Sequence, residues 1–205
     1  MKKLLSFFTA CLALVLLSNF VVGTAGYEVG DKVADFKLKN VDGKMVSLAD
    51  NKAAKGYIVV FTCNTCPFSQ AYESRIIALH QKYASKGYPV VAINPNDAGT
   101  VPEESFADMK ARAATMKFPF PYLQDETQQV AKTFGATRTP HLYVVTKKGT
   151  DFVVSYIGAI DDNSEDASQV KTKYVEQAMT DILAGKPATT SSTKAIGCTI
   201  KWKRA

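Results

Sequence analysis

Histidine, tryptophan and cysteine are scarce in this sequence of 205 residues, which contains 2 His, 1 Trp and 4 Cys. So few candidate ligands leave little material for a zinc centre, since a structural site usually takes four Cys or His side chains. Internal repeats and long runs of one charge are also missing. The net charge of +6 is mild for a nucleic-acid-binding protein, which more often carries a strong basic excess. We therefore expect neither nucleic acid nor a stable metal ion as a partner.

The longest apolar run stands at the beginning of the chain. Two lysines precede the apolar residues 4–17, and small residues follow at 23–25. This order is typical of a secretory signal peptide, so we predict that residues 1–25 are removed and that the protein is exported, to the periplasm or another extracytoplasmic site. An uncleaved signal anchor is the alternative, because residues 4–22 are just long enough to span a bilayer.

The remaining sequence alternates between β and α patterns. Residues 35–39 and 45–48 alternate in polarity around an Asp-Gly turn, which predicts a β-hairpin. Buried-strand and helical patterns then follow in turn, which predicts an α/β domain over residues 26–186 with a central, mainly parallel mixed sheet between two helical layers. Residues 187–205 are predicted to form a C-terminal linker and tail. The predicted strands are 57–61, 90–93, 119–123, 142–145 and 152–157, and the predicted helices are 68–86, 104–116, 127–134 and 174–184.

Two cysteines stand where a buried strand is followed at once by a helix. Residues three apart in the first turn of a helix share one face, which would place Cys63 and Cys66 within disulfide reach. Pro67 suits a first turn, and the positive end of the helix dipole favours a thiolate. We therefore predict that Cys63 is a solvent-open attacking thiolate of lowered pKa and that Cys66 is the resolving thiol. Asn64 and Thr65, polar and uncharged, are candidate modulators of the redox potential.

The cysteine pair is also compatible with two structural roles. It could be half of a zinc site, but the remaining ligands available after export are Cys198, His80 and His141. It could also be a local structural disulfide. Three cysteines remain after removal of residues 1–25, so at most one internal pair can close. The favoured interpretation of Cys198 is a small hydrophobic residue packed on the domain; a second resolving thiol or an intermolecular partner is the alternative.

A second motif lies far along the chain, where Thr139 and Pro140 precede a predicted strand. A cis X-Pro bond is a favoured way to shape such a turn, with a trans proline at a strand edge as the alternative. Together with the cysteine pair, the motif resembles the thioredoxin superfamily, in which a cis proline faces the dithiol and the preceding residue offers backbone hydrogen bonds to the bound partner. The resemblance implies that Thr139 and Pro140 bind the partner. His141 adjoins them and is a candidate modulator, or it packs inward.

Residues 34–38 with the following hairpin resemble the redoxin branch of that superfamily, meaning the alkyl hydroperoxide reductase/thiol-specific antioxidant group and the exported thioredoxin-like reductases. Residues 61–67, 92–97 and 137–141 resemble a peroxiredoxin-like bacterial subgroup. The proline and threonine that peroxiredoxins place before the reactive cysteine are replaced by Gly56 and Val60. The peroxiredoxin arginine gives way to Pro140.

The pattern also departs from thioredoxin itself. The tryptophan before its first cysteine is Thr62 here, and its buried acid is Tyr57. A proton shuttle must therefore come from elsewhere. Glu73 on the first helix is one candidate, although a solvated helix charge is the favoured interpretation.

The resemblance implies a thiol–disulfide oxidoreductase that acts outside the cytoplasm and reduces disulfides of partner proteins. Each partner would be held as a transient mixed disulfide, and electrons would come from a dithiol donor, soluble or membrane-bound. The cycle would need no bound cofactor. One alternative is a peroxiredoxin-like thiol peroxidase that uses Cys63 against hydroperoxides, and another is a redox-silent binding domain of the same fold.

Overall fold

The computed structural model of the protein describes residues 26–204. The predicted signal peptide at residues 1–25 lies outside the described residues. Within that range, no helix has the length and apolar character needed to cross a bilayer.

The described chain alternates between strands and helices along most of its length. The strands are β1 (Lys32–Val33), β2 (Lys37–Asn40), β3 (Met45–Ser47), β4 (Gly56–Phe61), β5 (Val90–Asn94), β6 (Tyr122–Gln124), β7 (Arg138–Thr139), β8 (His141–Lys148), β9 (Asp151–Gly158) and β10 (Cys198–Thr199). The α-helices are α1 (Pro67–Tyr83), α2 (Phe106–Met116), α3 (Gln129–Phe134) and α4 (Tyr174–Leu183). Short 3₁₀ turns span Leu48–Asp50, Ala84–Lys86, Pro102–Glu104 and Ala167–Gln169.

Eight strands form one mixed sheet in the order β1-β9-β8-β4-β5-β6-β2-β3. β4 pairs in parallel with β5, and β5 with β6, whereas the other neighbours pair antiparallel. The predicted mixed sheet and N-terminal hairpin are confirmed, but the expectation of a mainly parallel sheet was wrong. The reason is that β8 starts at His141 directly beside Phe61, the last residue of β4, and runs back along it.

The sheet separates two apolar layers. Ile58 and Val60 of β4 face the layer that contains buried residues of α1, α2 and α4. Val59 and Phe61 face the opposite layer, to which α3 contributes. Every residue of β4 is buried, which explains why its sequence is a nearly continuous apolar run. The prediction of helices on both faces is confirmed.

The central strand β4 and the helix α1 together position the cysteine loop. β4 ends at Phe61, and α1 begins at Pro67 with Cys66 as its N-cap residue. The predicted helix 68–86 corresponds to α1 and the 3₁₀ turn that follows it. Gly87 then ends the helical segment in the left-handed conformation, with φ of 91°.

The C-terminal residues pack against the domain. β10 pairs antiparallel with β7, and this two-stranded ladder lies outside the main sheet. Ile200 is buried in the same apolar layer as Phe61 and Phe134. The end of the chain therefore reaches the carboxyl end of β4, where the cysteine loop lies.

Candidate active site

Cys63 lies in the loop between β4 and α1, where only 3% of it is exposed. Its Sγ is 3.1 Å from Oγ1 of Thr139 and 3.7 Å from Oγ of Ser69, both within hydrogen-bonding reach. The sulfur therefore sits between a strand residue and a helix residue, both of which carry hydroxyl groups.

The environment of Cys63 favours the neutral thiol. Burial first, and the charge of Glu104 second, raise the pKa of the Cys63 thiol above its ordinary value. Hydrogen bonds with Thr139 and Ser69 lower it by less. The prediction of a solvent-open thiolate of lowered pKa was wrong. Cys63 precedes the first turn of α1 and lies beside a buried acid, so the helix dipole does not dominate its surroundings.

Cys66 is bonded to Cys198, and Cys63 is free. The Cα atoms of the bonded pair are 6.1 Å apart, within the usual range for a disulfide. The favoured interpretation of Cys198 as a packed hydrophobic residue was therefore wrong. The disulfide expected between Cys63 and Cys66 is not the one closed in this structure, because β10 brings a third cysteine to the site.

Thr139 connects the two ends of the cysteine motif. Its Oγ1 contacts Cys63, and its carbonyl oxygen lies 3.2 Å from Sγ of Cys66. The peptide bond between Thr139 and Pro140 is cis, as the sequence pattern predicted. Thr139 is fully buried, and Cys198 of β10 is directly opposite it in the ladder. The strand edge expected to receive a partner is thus occupied by the protein's own tail.

Glu104 holds the cysteine loop in place, and the sequence analysis missed this role. Its fully buried carboxylate accepts hydrogen bonds from the backbone N–H groups of Asn64 (2.9 Å) and Thr65 (3.0 Å). It also accepts from the Thr65 hydroxyl (2.6 Å) and from Nδ2 of Asn94 (2.8 Å). In the sequence, Glu104 looks like an ordinary acid near the start of a helix. The one available signal is polar Asn94 at the end of buried strand β5.

Asn64 and Thr65 contribute to the shape of the loop through their side chains. Nδ2 of Asn64 donates to the carbonyl of Glu103, and its Oδ1 accepts from the Tyr122 hydroxyl, both at 2.9 Å. Nε2 of Gln70 on α1 donates to the Asn64 carbonyl at 2.7 Å. The two residues between the cysteines are therefore held from α1, from β6 and from the turn that precedes α2.

Glu73 is buried and paired rather than solvated. Its two carboxylate oxygens accept hydrogen bonds from Nε and Nη2 of Arg112, each at 2.7 Å. The favoured interpretation of Glu73 as a solvated helix charge was wrong. At 1.5 Å per residue it lies about 10 Å along the helix from Cys66. The ion pair joins α1 to α2, and this accounts for the buried carboxylate without a proton-transfer role.

His141 packs inward at the start of β8. Burial first, and the charge of Arg138 second, lower the pKa of His141 to about 4. The ring lies 4.8 Å from that of Tyr143, and Nδ1 has no hydrogen-bond partner in the described part of the chain. Inward packing, the alternative named for this residue, is what the structure shows. A neutral imidazole brings no positive charge to the cysteine loop.

No group of three or more His, Cys, Asp or Glu side chains in residues 26–204 is arranged to hold a metal ion. Pro67 occupies the first turn of α1, as predicted. The structure thus brings together Cys63, Cys66, Thr139 and Pro140, and it adds Glu104 and Cys198.

Comparison with known proteins identifies relatives of two kinds. The chain is 30% identical to chloroplastic peroxiredoxin Q of Triticum aestivum over 62% of this chain and 57% of that protein. It is 24% identical to the thiol-disulfide oxidoreductase ResA of Geobacillus thermodenitrificans over 68% of this chain and 76% of that protein. The crystal structure of an uncharacterized conserved protein from Geobacillus kaustophilus is 37% identical, with a TM-score of 0.79, over 87% of this chain and 94% of that chain.

The family model described as "AhpC/TSA family" matches residues 29–157, from before β1 almost to the end of β9. That stretch includes the cysteine loop, the Thr139–Pro140 bond and Glu104, while Cys198 lies beyond it. The sheet between two helical layers agrees with a thioredoxin-like α/β fold. The chain therefore belongs to the AhpC/TSA family and is a redoxin of the thioredoxin superfamily.

Proposed function

We propose that the protein is a thiol–disulfide oxidoreductase that reduces disulfides of partner proteins outside the cytoplasm, with Cys63 and Cys66 as its catalytic residues. One observation carries the proposal: a free cysteine and a disulfide-bonded cysteine, three positions apart, both contact Thr139. Such a site contains a nucleophile and a second sulfur that is able to resolve the mixed disulfide. The similarity to the thiol-disulfide oxidoreductase ResA supports thiol–disulfide exchange as the chemistry.

The cycle starts when a dithiol donor, soluble or membrane-bound, opens the disulfide of the resting protein. Cys198 is more exposed than Cys66, so the donor attacks at the tail. Deprotonated Cys63 then attacks a partner disulfide, and the partner's first sulfur leaves as a thiol. Cys66 attacks Sγ of Cys63 in the resulting mixed disulfide, which releases the second partner thiol and forms the Cys63–Cys66 bond. The exchange needs no bound cofactor.

The residues around the sulfurs have distinct roles in this cycle. Thr139 and Ser69 offer hydrogen bonds that stabilise the Cys63 thiolate as it forms. Asn64 and Thr65 hold the loop through Glu104, and Pro67 fixes the start of the helix. Export rests on the signal-like pattern of residues 1–25, and sequencing the N-terminus of the exported protein tests it.

A peroxiredoxin-like peroxidase is the second candidate, favoured by the family model and by the match to peroxiredoxin Q. The Cys63 thiolate would then attack the hydroperoxide O–O bond, which oxidises the sulfur to a sulfenic acid and releases an alcohol or water. Val60 and Pro140 replace the threonine and arginine of that mechanism, and the hydroxyl of Thr139 is the polar group beside the sulfur.

Two assays on the same protein separate these functions. We expect insulin reduction with a dithiol donor to depend on Cys63 and to be lost in Cys63→Ser, while hydroperoxide consumption stays at the uncatalysed rate. Hydroperoxide consumption that requires Cys63 would instead establish the peroxidase. If Cys63→Ser equalled wild type in both assays, the chain would be a redox-silent binding domain.

A further inference from the structure

We propose that Cys198 is the third exchange thiol of this site and the final acceptor of its disulfide. The inference rests on the proposed function and adds a catalytic residue to it. In this scheme Cys198 attacks the Cys63–Cys66 disulfide and becomes bonded to Cys66. Cys63 is thereby regenerated as a free thiol, and the disulfide then lies between Cys66 and Cys198 of the tail.

The position of Cys198 does not depend on the disulfide alone. β10 pairs with β7 so that Cys198 is opposite Thr139, whose atoms contact both other sulfurs. On one side, Nη1 of Arg138 donates to the carbonyl of Gly197 at 2.8 Å. On the other side, the N–H of Ile200 donates to the carbonyl of Thr137 at 3.2 Å. None of these contacts involves the disulfide, so we expect them to persist when it is open.

The residues after Cys198 anchor the tail a second time. The carbonyl of Lys201 accepts hydrogen bonds from the N–H of Asp97 and from Nε2 of Gln128, both at 2.9 Å. The N–H of Lys201 donates to Oδ1 of Asn96 at 2.9 Å. Ile200 is buried in the apolar layer under the sheet. We therefore expect the reduced thiol of Cys198 to stay beside Cys66, at the high effective concentration of an intramolecular reactant.

Gly197 lets the tail approach the site closely. A Cβ atom at this position would lie 2.2 Å from the carbonyl oxygen of Thr139 and 2.6 Å from its carbonyl carbon. Those atoms belong to the backbone beside the buried Pro140, so they have little freedom to move. The need for glycine next to the cysteine is explained if Cys198 must reach the sulfur of Cys66.

The proposed step is a thiol–disulfide exchange in which no electrons are gained or lost. Cys198 loses its proton and attacks Sγ of Cys66 in the Cys63–Cys66 disulfide. The Cys66–Cys198 bond forms, the Cys63–Cys66 bond breaks, and Cys63 leaves as a thiolate that takes up a proton. Burial keeps that proton on Cys63. The product has a closed Cys66–Cys198 bond and a free Cys63, which is the arrangement in this structure.

A quenched time course on the full chain tests the order of the two disulfides. Fully reduced protein is mixed with one equivalent of oxidised glutathione, quenched with acid, alkylated and digested with trypsin. Cys63 and Cys66 fall in the tryptic peptide 56–75, and Cys198 falls in 195–201. We expect a disulfide within 56–75 to form first and then to be replaced by a cross-link to 195–201, with Cys63 alkylated. In Cys198→Ser, oxidation should stop at the first disulfide.

A substitution that displaces strand β10 but keeps Cys63, Cys66 and Cys198 tests whether the close approach of Cys198 to Cys66 is required. Gly197→Ala should slow formation of the cross-link by about 100-fold, the order expected for a misplacement of about 1 Å, and leave the first disulfide unaffected. Gly99→Ala is the matched control, because its Cβ would meet only the flexible carboxylate of Asp97, at 3.1 Å. This control should leave both steps at the wild-type rate.

Two results would overturn the role of Cys198. One is a wild-type time course that ends with the disulfide inside 56–75 and Cys198 alkylated. The other is a cross-link that forms as fast in Cys63→Ser as in wild type, since the bond would then arise without Cys63. Either result leaves the proposed function standing if Cys63→Ser loses insulin reduction. Insulin reduction that survives in Cys63→Ser would instead remove the function itself.

Discussion

At the scale of single residues, the buried carboxylate of Glu104 both builds the cysteine loop and opposes the charge that the loop must develop. It accepts hydrogen bonds from the N–H groups of Asn64 and Thr65, so it fixes the backbone next to Cys63. The same charge contributes to the raised pKa of Cys63. Glu104 thus orders the loop and at the same time makes the Cys63 thiol less acidic.

Replacing Glu104 by Gln should lower the pKa of Cys63, because the nearby negative charge is removed while the size is kept. One oxygen becomes an NH₂ group that faces hydrogen-bond donors, so we also expect a loss of stability of about 1–3 kcal/mol. The measurement is the alkylation rate of Cys63 against pH in the reduced protein, resolved by mass spectrometry. Glu103→Gln is the control, since its exposed side chain is outside the hydrogen-bond network. An unchanged pH midpoint in Glu104→Gln would contradict the electrostatic argument.

His141 should make the stability of the protein depend on pH. Its pKa is lowered from 6.5 to about 4, so the folded state prefers the neutral ring more than the unfolded state does. The resulting stability is fully present above pH ~6.5 and is lost as the pH falls towards 4, by about 3 kcal/mol in all. Urea unfolding of wild type and His141→Phe at pH 7 and pH 4.5 measures this. We expect the variant to lose less stability on acidification; equal losses would show that His141 is not the group responsible.

At the scale of secondary-structure elements, the loop depends on how α1 is held against its neighbours. The ion pair between Glu73 and Arg112 ties α1 to α2, and the turn before α2 carries Glu104. The helix that begins at the cysteines and the segment that binds their loop are therefore joined at two places.

Replacing Glu73 by Gln should destabilise the fold by about 1–3 kcal/mol without changing the chemistry. The loss comes from a charged hydrogen-bonded pair in which the carboxylate is largely buried. The measurements are the urea midpoint and the pH profile of insulin reduction. Glu176→Gln breaks the more exposed pair with Lys82 and should cost about 0–1 kcal/mol. A shifted pH profile in Glu73→Gln would make this residue a proton-transfer candidate again.

Sequence patterns were sufficient where a few neighbouring residues determine the outcome. The apolar run of β4, Pro67 at the start of α1 and Pro140 before β8 each follow from local conformational preferences, and the structure agrees with all three. The direction of β8 was not foreseeable in this way. A hydrophobic run shows that a strand is buried on both faces but does not show which way its neighbours run.

The misjudged residues of the site are those whose environment comes from distant parts of the chain. Glu104 acts on a loop that is 39 positions away, and Cys198 bonds a cysteine that is 132 positions away. The pKa of Cys63 depends on both its burial and the charge of Glu104. The position of the cysteine at the start of a helix therefore predicted a lowered pKa, whereas its surroundings raise it. These contacts and the pKa of Cys63 depend on tertiary structure. A sequence pattern does not show which residues that are far apart in the chain lie close together in the fold.

At the scale of the whole molecule, the tail brings the C-terminal strand β10 to the start of helix α1. The disulfide joins the N-cap of α1 to β10, so it encloses α1, every later strand of the main sheet and α4 in one loop. Oxidation at the cysteines is therefore coupled to the stability of the entire domain, because the closed loop restricts the unfolded chain.

Reducing the Cys66–Cys198 bond should lower the free energy of unfolding by up to about 5 kcal/mol, the loop-entropy value for a closed loop of this length. The measurement is the urea midpoint with and without dithiothreitol. With dithiothreitol, Cys198→Ser should have the same midpoint as reduced wild type, because both then lack the Cys66–Cys198 bond. The non-covalent anchors predict that the tail stays docked even then, so the amide of Ile200, bonded to Thr137, should remain protected from hydrogen exchange in Cys198→Ser. Rapid exchange at Ile200 would mean that the disulfide alone holds the tail, and that Cys198 leaves the site on reduction.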